Sequence, residues 1–210
     1  MNLSVPLNEK HIVLHSCCAP CSAAVITRLL EEKIKPTVIF YNPNIHPKDE
    51  YERRKAEQIR FAQKKGVRFV DCDYDTQYWF EETKGLEHER ERGKRCFACF
   101  LIRLKYCARF TSQHGFKVFT STFGLSRWKD LEQVNEAGRL AAQQFPDTVY
   151  WGHNWRKEGG SEQMYLISKA EEFYQQEYCG CIYSLRDAES RRAAHGKPSI
   201  KSEGPKHYSQ

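Results

Sequence analysis

Nine cysteines occur in the 210 residues, and seven of them fall into three short groups. Because the count is odd, they cannot all pair into disulfides. In a reducing compartment, clustered cysteines indicate metal ligands or redox groups more often than structural disulfides. The groups are Cys17, Cys18 and Cys21, then Cys96 and Cys99, then Cys179 and Cys181.

The first two groups predict a metal site. Thiolates favour zinc or iron–sulfur clusters over hard cations. The two cysteine pairs of a zinc ribbon are usually about 15–20 residues apart. Here several predicted helices and strands separate the groups, so the ligands must be brought together by tertiary folding. Four thiolates are the ligand set of a [4Fe–4S] cluster. A structural zinc ion remains an alternative.

The third group has a different spacing, with a single Gly180 between Cys179 and Cys181. Two such cysteines can form a strained disulfide, and strained disulfides tend to be labile or catalytic. The alternatives are two further metal ligands or two unreactive thiols. The remaining pair, Cys72 and Cys107, is predicted to be buried as small hydrophobic side chains.

Short apolar runs alternate with helical patterns along the chain. This alternation predicts an α/β fold with a mainly parallel sheet of about five strands and helices on both faces. The expected organisation is a single domain over residues 1–187 with a helical insertion, followed by a flexible basic tail over 188–210. Strands are predicted over 12–16, 37–41, 67–70, 117–121 and 148–151, and helices over 22–32, 49–65, 131–145 and 161–178, with more than one helix between 77 and 113.

The loops that follow the strands carry most of the polar, aromatic and thiol groups. Ligands of open α/β sheets bind outside the carboxyl ends of the strands, so we expect these loops to share one cleft. His46 and Asp73 are candidates for proton transfer there, although such residues often only hold loop geometry. Trp155 is a candidate for stacking on a nucleobase, whereas Trp151 is expected in the core.

The charge pattern points weakly to nucleic acid. The net charge is +6, and eight of the basic residues lie between positions 84 and 109 with three acidic ones. A solvated helix face is the alternative explanation. No run approaches the roughly 18 apolar residues of a membrane span, and the polar start lacks the apolar core of a signal peptide. We therefore expect a cytoplasmic protein.

Five short segments, in this order, resemble the QueH family of epoxyqueuosine reductases over about residues 10–187. The basic region after residue 187 is not part of the resemblance. The segments are residues 15–21 (HSCCAPC), 41–47 (YNPNIHP), 93–99 (GKRCFAC), 126–130 (SRWKD) and 178–181 (YCGC).

The resemblance implies a nucleotide-hydrolase-like fold and a specific reaction, which is the reduction of epoxyqueuosine to queuosine at the wobble position of tRNA. This is the last step of queuosine biosynthesis, and the family needs no cobalamin. The electron donor is unidentified, and no membrane partner is expected.

The resemblance also implies a role for each cysteine group. Cys17, Cys18, Cys96 and Cys99 would hold a [4Fe–4S] cluster, and Cys179 and Cys181 would form a redox-active disulfide. Cys21 is a candidate for binding an additional iron, with or without an Asp. A basic rim would contact tRNA phosphates; its residues are Arg90, Arg92, Lys94 and Arg95.

Two other functions fit part of the pattern. An iron–sulfur tRNA sulfur-transfer enzyme would need a glycine-rich phosphate loop after the first strand, but residues 15–20 read HSCCAP. A zinc-stabilised RNA-binding protein would explain the charge and four cysteines, but it leaves Cys179 and Cys181 without a role.

Overall fold

The centre of the fold is a parallel sheet of five strands, in a computed structural model that describes residues 3–126 and 129–200. The predicted five-stranded parallel sheet is thereby confirmed, and each observed strand end lies within two residues of its predicted position. The strands are β1 (His11–His15), β2 (Lys35–Phe40), β3 (Arg68–Asp71), β4 (Val118–Ser121) and β5 (Val149–Tyr150), and their order in the sheet is β3-β2-β1-β4-β5.

Helices pack around this sheet in two groups. The first two helices and the sixth are in contact, and the fourth packs on the fifth. Right-handed crossovers place these groups on opposite faces of the sheet. The helices are α1 (Ala19–Glu31), α2 (Lys48–Lys64), α3 (Thr76–Glu82), α4 (Lys94–Gln113), α5 (Leu131–Gln143), α6 (Gly160–Ala170) and α7 (Ile182–Ala194).

Strand β1 is the central strand and determines where the site lies. Its residues Ile12, Val13 and Leu14 have no solvent exposure, which is typical of a parallel strand covered on both faces. It pairs with β2 and with β4, so the strand order reverses beside it. The carboxyl end of such a pair opens into the ligand crevice of α/β folds, and Cys17 follows β1 at this position.

Helix α6 is shorter than predicted, because it ends at Ala170 and not near residue 178. The carboxylate of Glu171 forms ion pairs with Arg60 at 3.1 Å and with Lys64 at 2.7 Å. Phe173 then turns inward and packs against Phe61, with ring centres 5.6 Å apart. These contacts redirect the chain away from the helix axis.

Helix α7 was not predicted, and it crosses the boundary at residue 188 where the flexible tail was expected to begin. Residues 188–194 are therefore helical. The thiol of Cys181 caps the helix by accepting a hydrogen bond from the backbone N–H of Ser184 at 3.3 Å, and Ala188 is buried. Residues 195–200 follow the helix, and residues 201–210 of the predicted tail lie outside the described part of the chain.

No helix in residues 3–126 or 129–200 is both long and apolar enough to cross a membrane.

Candidate active site

Cys17 and Cys18 lie between β1 and α1, where Cys18 is the N-cap residue with an extended backbone. Both are buried, and their sulfur atoms are 4.0 Å apart. The S–H of Cys17 donates to the sulfur of Cys18, and this bond together with burial raises the pKa of Cys17. In the absence of a bound cation, Cys17 is therefore a neutral thiol at neutral pH.

Cys21 lies one turn further along α1 and is also buried. Its sulfur lies 3.9 Å from the sulfur of Met164 on α6. This neighbour is apolar, and Cys21 therefore points at least partly into the α1–α6 contact. Binding of an additional iron by Cys21 stays a prediction.

Cys96 and Cys99 lie in the first turns of α4, which places their side chains near one another on the helix surface. The backbone N–H of Arg92 donates to the sulfur of Cys96 at 3.3 Å. Burial raises the pKa of Cys96 to about 12, and the neighbouring Cys179 adds to this shift. Burial also raises the pKa of Cys99, while the positive charge of Arg103 opposes it.

The loop that carries Cys179 and Cys181 is fixed by hydrogen bonds to its backbone carbonyls. Gly180 has φ +133°, a conformation that L side chains rarely adopt, and a Cβ there would lie 3.2 Å from the guanidinium of Arg54. The N–H of His46 donates to the carbonyl of Gly180 at 2.8 Å. Cys179 is exposed and Cys181 is buried, and both are free thiols in this structure.

The second and third cysteine groups face the same space. A narrow cleft of about 20 Å³ is lined by Cys96, Cys99, Cys179 and Cys181. A larger cavity of about 650 Å³ opens beside it, and its wall includes Cys96, Cys179 and Lys129. Its volume falls within the range of roughly 300–1,000 Å³ that is usual for small-molecule pockets. A ligand in the cavity would therefore reach two of the thiols.

Two cations connect the first cysteine group with the others. The charges of Arg103 and Lys129 each act to lower the pKa of Cys17 and also that of Cys99. Groups from different parts of the chain thus share the same two positive charges. Cys17 and Cys99 are therefore both near Arg103 and Lys129.

Neither cation has a carboxylate partner among the described residues. Arg103 is buried, donates to the carbonyl of Cys99 at 3.1 Å and stacks 4.1 Å above the ring of Phe123, but one of its terminal nitrogens has no hydrogen-bond partner. Burial lowers the pKa of Lys129, but the thiolate forms of Cys179 and Cys17 outweigh this effect and raise it overall. A buried positive charge without a partner is costly, so the site is suited to an anionic group.

The thiols are not arranged as a preformed metal site. Within residues 3–126 and 129–200, no three Cys, His, Asp or Glu side chains are close enough to hold a metal ion. The predicted ligands Cys17, Cys18, Cys96 and Cys99 therefore do not form such a group of three, although the sulfur atoms of Cys17 and Cys18 are 4.0 Å apart.

Three other predictions can be compared with the structure. Trp155 is only 2% exposed and packs edge-on against Trp151 at 5.1 Å, so its predicted role in stacking on a base is wrong. Trp151, Cys72 and Cys107 are buried as predicted. The predicted rim needs one correction, because Arg90, Arg92 and Lys94 are exposed but Arg95 is 1% exposed. Arg95 donates to the backbone carbonyls of Leu86, Glu87 and Glu89.

Of the two candidates for proton transfer, His46 is the better placed. Both of its ring nitrogens are buried without a partner, and burial lowers its pKa. Its ring packs against Trp79 at 5.4 Å and Phe80 at 4.9 Å. Asp73 is exposed on its loop. Arg127 and Trp128, within one of the family-like segments, lie outside the described residues.

Three charged residues at the site were not predicted from the sequence, and they are Arg54, Arg103 and Lys129. Arg103 could have been found, because it follows Cys99 by one helical turn and so shares its face of α4. Lys129 lies in the segment that resembles the family but was not given a role. Arg54 could not have been placed at the site from its own segment, because the two carbonyls that it binds there, those of Tyr178 and Cys179, lie more than a hundred residues away in the chain.

The chain is similar to proteins of one family along most of its length. The family model described as "Epoxyqueuosine reductase QueH" matches residues 12–187. A protein of that name from Acinetobacter baylyi is 53% identical over 209 residues, covering 100% of this chain and 95% of the relative. Another, from Haemophilus influenzae, is 54% identical over 198 residues, covering 94% and 81%. A third, from Thermotoga maritima, is 28% identical over 193 residues, covering 90% and 96%.

A solved structure with a related fold is the U34-tRNA thiolase NcsA from Methanococcus maripaludis with its [4Fe-4S] cluster. The TM-score is 0.53 and the sequences are 15% identical, over 90% of this chain and 68% of that one. At this identity the likeness shows a shared fold and nothing further.

Proposed function

The chain belongs to the QueH family and is an epoxyqueuosine reductase, and we propose that it performs this reduction on tRNA with its three cysteine groups and a [4Fe–4S] cluster. The reaction makes the enzyme an oxidoreductase of queuosine processing. The observation that carries the proposal is that Cys96, Cys99, Cys179 and Cys181 line one cleft, while Arg103 links this group to the first one. Arg103 donates to the carbonyl of Cys99 and to the side chain of Asn42, which donates to the carbonyl of Ser16 beside Cys17.

The electron count of the reaction matches the chemistry of a pair of thiols. Removing the epoxide oxygen as water leaves an alkene, and it consumes two electrons and two protons. Oxidation of the thiols of Cys179 and Cys181 to a disulfide releases the same number of each. An external reductant then returns the pair to the dithiol. The exposed Cys179 is the sulfur such a reductant would reach first.

The residues fit a [4Fe–4S] cluster by donor type and by charge. Such clusters are held by Cys thiolates, and the four proposed ligands are Cys17, Cys18, Cys96 and Cys99. Four thiolates would compensate the positive charges of Arg103 and Lys129, which have no carboxylate partner in the described chain. When bound, the cluster supplies one-electron transfer between the external donor and the substrate site.

Lys129 is placed to act on the epoxide oxygen. Its side chain lines the cavity of about 650 Å³ together with Cys96 and Cys179. An epoxide oxygen is a poor leaving group unless a proton or another positive charge stabilises it. The Nζ atom of Lys129 can donate a hydrogen bond to this oxygen as the carbon–oxygen bond breaks.

The nucleotide enters from the open side of the cavity. Bases of an anticodon loop are unstacked and can be inserted into a protein pocket. Arg90 and Lys94 are exposed and lie two residues on either side of Arg92 in the chain, and we propose that they contact phosphates without reading sequence. Arg92 lines the cavity itself.

Sulfur transfer is not favoured as a second function. The fold is shared with a tRNA thiolase, but α1 is preceded by Cys17 and Cys18 where a phosphate-binding loop would need glycines.

The experiment that tests the proposal is anaerobic purification with iron, sulfide and absorbance analysis, followed by incubation with epoxyqueuosine-containing tRNA and dithionite. About four irons per chain, together with queuosine in the digested tRNA, is the expected result. Zinc in place of iron would overturn the cofactor assignment. If the cluster is complete but no queuosine forms, the proposal that these cysteines reduce the epoxide with electrons from dithionite is overturned.

A further inference from the structure

The C-terminal arm, residues 188–200, contributes Arg191 to the wall of the cavity and lies beyond residues 12–187, which the family model matches. We propose that this arm forms the second wall of the RNA-binding cleft and that Arg191 and Lys197 contact backbone phosphates beside the wobble nucleotide. The inference rests on the function proposed above, because it takes the cavity of about 650 Å³ as the place where that nucleotide reacts.

The position of Arg191 connects the arm with the thiols. Arg191 and Glu177 line the cavity that contains Cys96 and Cys179. The same two residues also line an adjoining depression of about 240 Å³, whose other side is formed by the arm. A strand of RNA that delivers a nucleotide to the thiols would therefore pass over the arm.

Some charged side chains of the arm have a partner within the protein, and others do not. Arg192 forms an ion pair with Glu177, and the carboxylate of Glu189 accepts from the N–H of Ile200 at 2.7 Å. In contrast, Arg191 and Lys197 are exposed, and neither has an ion-pair partner among the described residues. Arg191 lines the cavity and Lys197 lines the adjoining depression, and two cations without ion-pair partners there complement the charge of a phosphate backbone.

The arm is also folded well enough to hold these cations in place. After α7 ends, the chain turns back, and the N–H of Lys197 donates to the carbonyl of Arg192 at 3.0 Å. The guanidinium of Arg192 in turn donates to the carbonyl of Pro198 at 2.6 Å. Binding therefore costs less conformational entropy than it would for a free tail.

The segment around residues 87–95, which also borders the cavity, contacts α7. Arg186 on α7 donates to the carbonyl of Glu87 at 3.3 Å, and Arg95 stacks 4.8 Å from the ring of Tyr183. The exposed Arg90 and Lys94 follow the segment that Arg186 contacts. Arg92 from this segment and Arg191 from the arm line the same cavity as Cys96 and Cys179.

The test is the salt dependence of tRNA binding by the full-length enzyme carrying Arg191→Ala and Lys197→Ala together. Removing one cation that neutralises a phosphate of single-stranded RNA lowers the slope of log K against log salt by about 0.7. At 0.1 M salt this corresponds to about fivefold weaker binding for each cation removed. We expect the double variant to bind epoxyqueuosine-containing tRNA roughly twentyfold more weakly, with a slope smaller by about 1.4.

A matched control is the pair Lys10→Ala and Lys35→Ala. These exposed lysines lie at the amino ends of β1 and β2, whereas the cleft lies at the carboxyl ends of the strands. Their replacement should leave the slope unchanged. The exchange Arg191→Lys with Lys197→Arg keeps both charges and should bind within about twofold of the wild type. Circular dichroism confirms that α7 is retained.

Turnover separates this inference from the proposed function. With saturating tRNA the double alanine variant should form queuosine at the wild-type rate, because the thiols are untouched, while KM rises with Kd. An unchanged Kd and slope, or an unchanged KM with a lower kcat, would overturn the role of the arm. Failure of the wild-type enzyme to form queuosine would overturn the proposed function, while the binding data would still decide whether the arm contacts RNA.

Discussion

The guanidinium of Arg54 donates a hydrogen bond to the backbone carbonyl of Cys179 at 3.0 Å. The same group donates to the carbonyl of Tyr178 at 3.2 Å and forms an ion pair with Glu50 at 2.6 Å. Both members of this pair are almost fully buried. A buried charge on α2 thus holds the loop that carries the proposed redox cysteines.

Arg54→Met should destabilise the enzyme strongly, because it leaves the buried carboxylate of Glu50 unpaired. Breaking a buried ion pair from one side costs about 3–5 kcal/mol, which urea unfolding will measure. The double variant Arg54→Met, Glu50→Leu should recover most of this stability, since both charges are gone. It should still turn over slowly, because the carbonyls of Tyr178 and Cys179 no longer have their donor. Full activity in the stable double variant would show that Arg54 serves stability alone.

Cys96→Ser should lose the cluster and the activity together, because Cys96 is one of four proposed ligands and its sulfur lines the cavity. Iron content and visible absorbance after anaerobic purification provide the measurement. Cys107→Ala is the matched control, since Cys107 is fully buried within α4, three helical turns from Cys96. A full-strength cluster in Cys96→Ser would refute the ligand assignment.

Cys181→Ser should keep the cluster and block turnover, because serine cannot form a disulfide with Cys179. A serine hydroxyl can still accept the hydrogen bond from Ser184 that caps α7, so stability should change little. Cys181→Ala removes this acceptor as well and should cost about 1 kcal/mol of helix capping. Comparing the two variants by thermal unfolding and by queuosine formation separates the cap from the chemistry. Wild-type turnover in either one would exclude the redox pair from the mechanism.

Lys129→Met should lower the reduction potential of the bound cluster. Removing a nearby positive charge disfavours the reduced, more negative state, and we expect a shift on the order of tens of millivolts. Redox titration followed by electron paramagnetic resonance measures it. Lys169→Met, at the exposed end of α6, is the control and should leave the potential unchanged. An equal potential in both variants would place Lys129 away from the cluster.

The pH dependence of stability should include a contribution from His153, whose pKa is lowered to about 4 by burial and by the charge of Arg28. The folded state disfavours protonated His153, whereas the unfolded chain binds the proton near pH 6.5. Stability is therefore complete above about pH 6.5 and falls as the pH drops towards 4.

His153→Phe removes this titration and keeps an aromatic ring beside Trp151 and Trp155. Because His153 is only half-buried, solvent screening should limit the effect to less than about 1 kcal/mol per pH unit. Unfolding by urea at pH 7, 5.5 and 4.5 should show a shallower decline for the variant. Parallel declines for variant and wild type would contradict the assignment.

The strands and most helices could be predicted because each has a local pattern. Ile12 to Leu14 form an apolar run that only a strand covered on both faces explains, and the spacing of apolar residues in α5 matches its buried face. Helix α7 lacks such a pattern, since Ser184 and Ala188 are its only buried residues. Its cap is a thiol, which is outside the usual set of capping residues.

The cysteine groups of the site could be found from spacing and resemblance, but the charges around them could not. Arg54 is one cation in a highly charged helix, and its burial depends on a loop from the far end of the chain. Trp155 shows the converse error, because an aromatic residue between two polar ones in a loop suggested exposure. Its ring instead fills the space beside Trp151.

The two proposed pairs of cluster ligands come from distant parts of the chain, Cys17 and Cys18 from the turn before α1 and Cys96 and Cys99 from the start of α4. A group bound by both pairs would act as a cross-link between distant parts of the chain. Closing so long a loop restricts the unfolded chain more than the folded one. Assembly of the cofactor would therefore also raise the free energy of unfolding, and its removal would destabilise both of the parts that it joins.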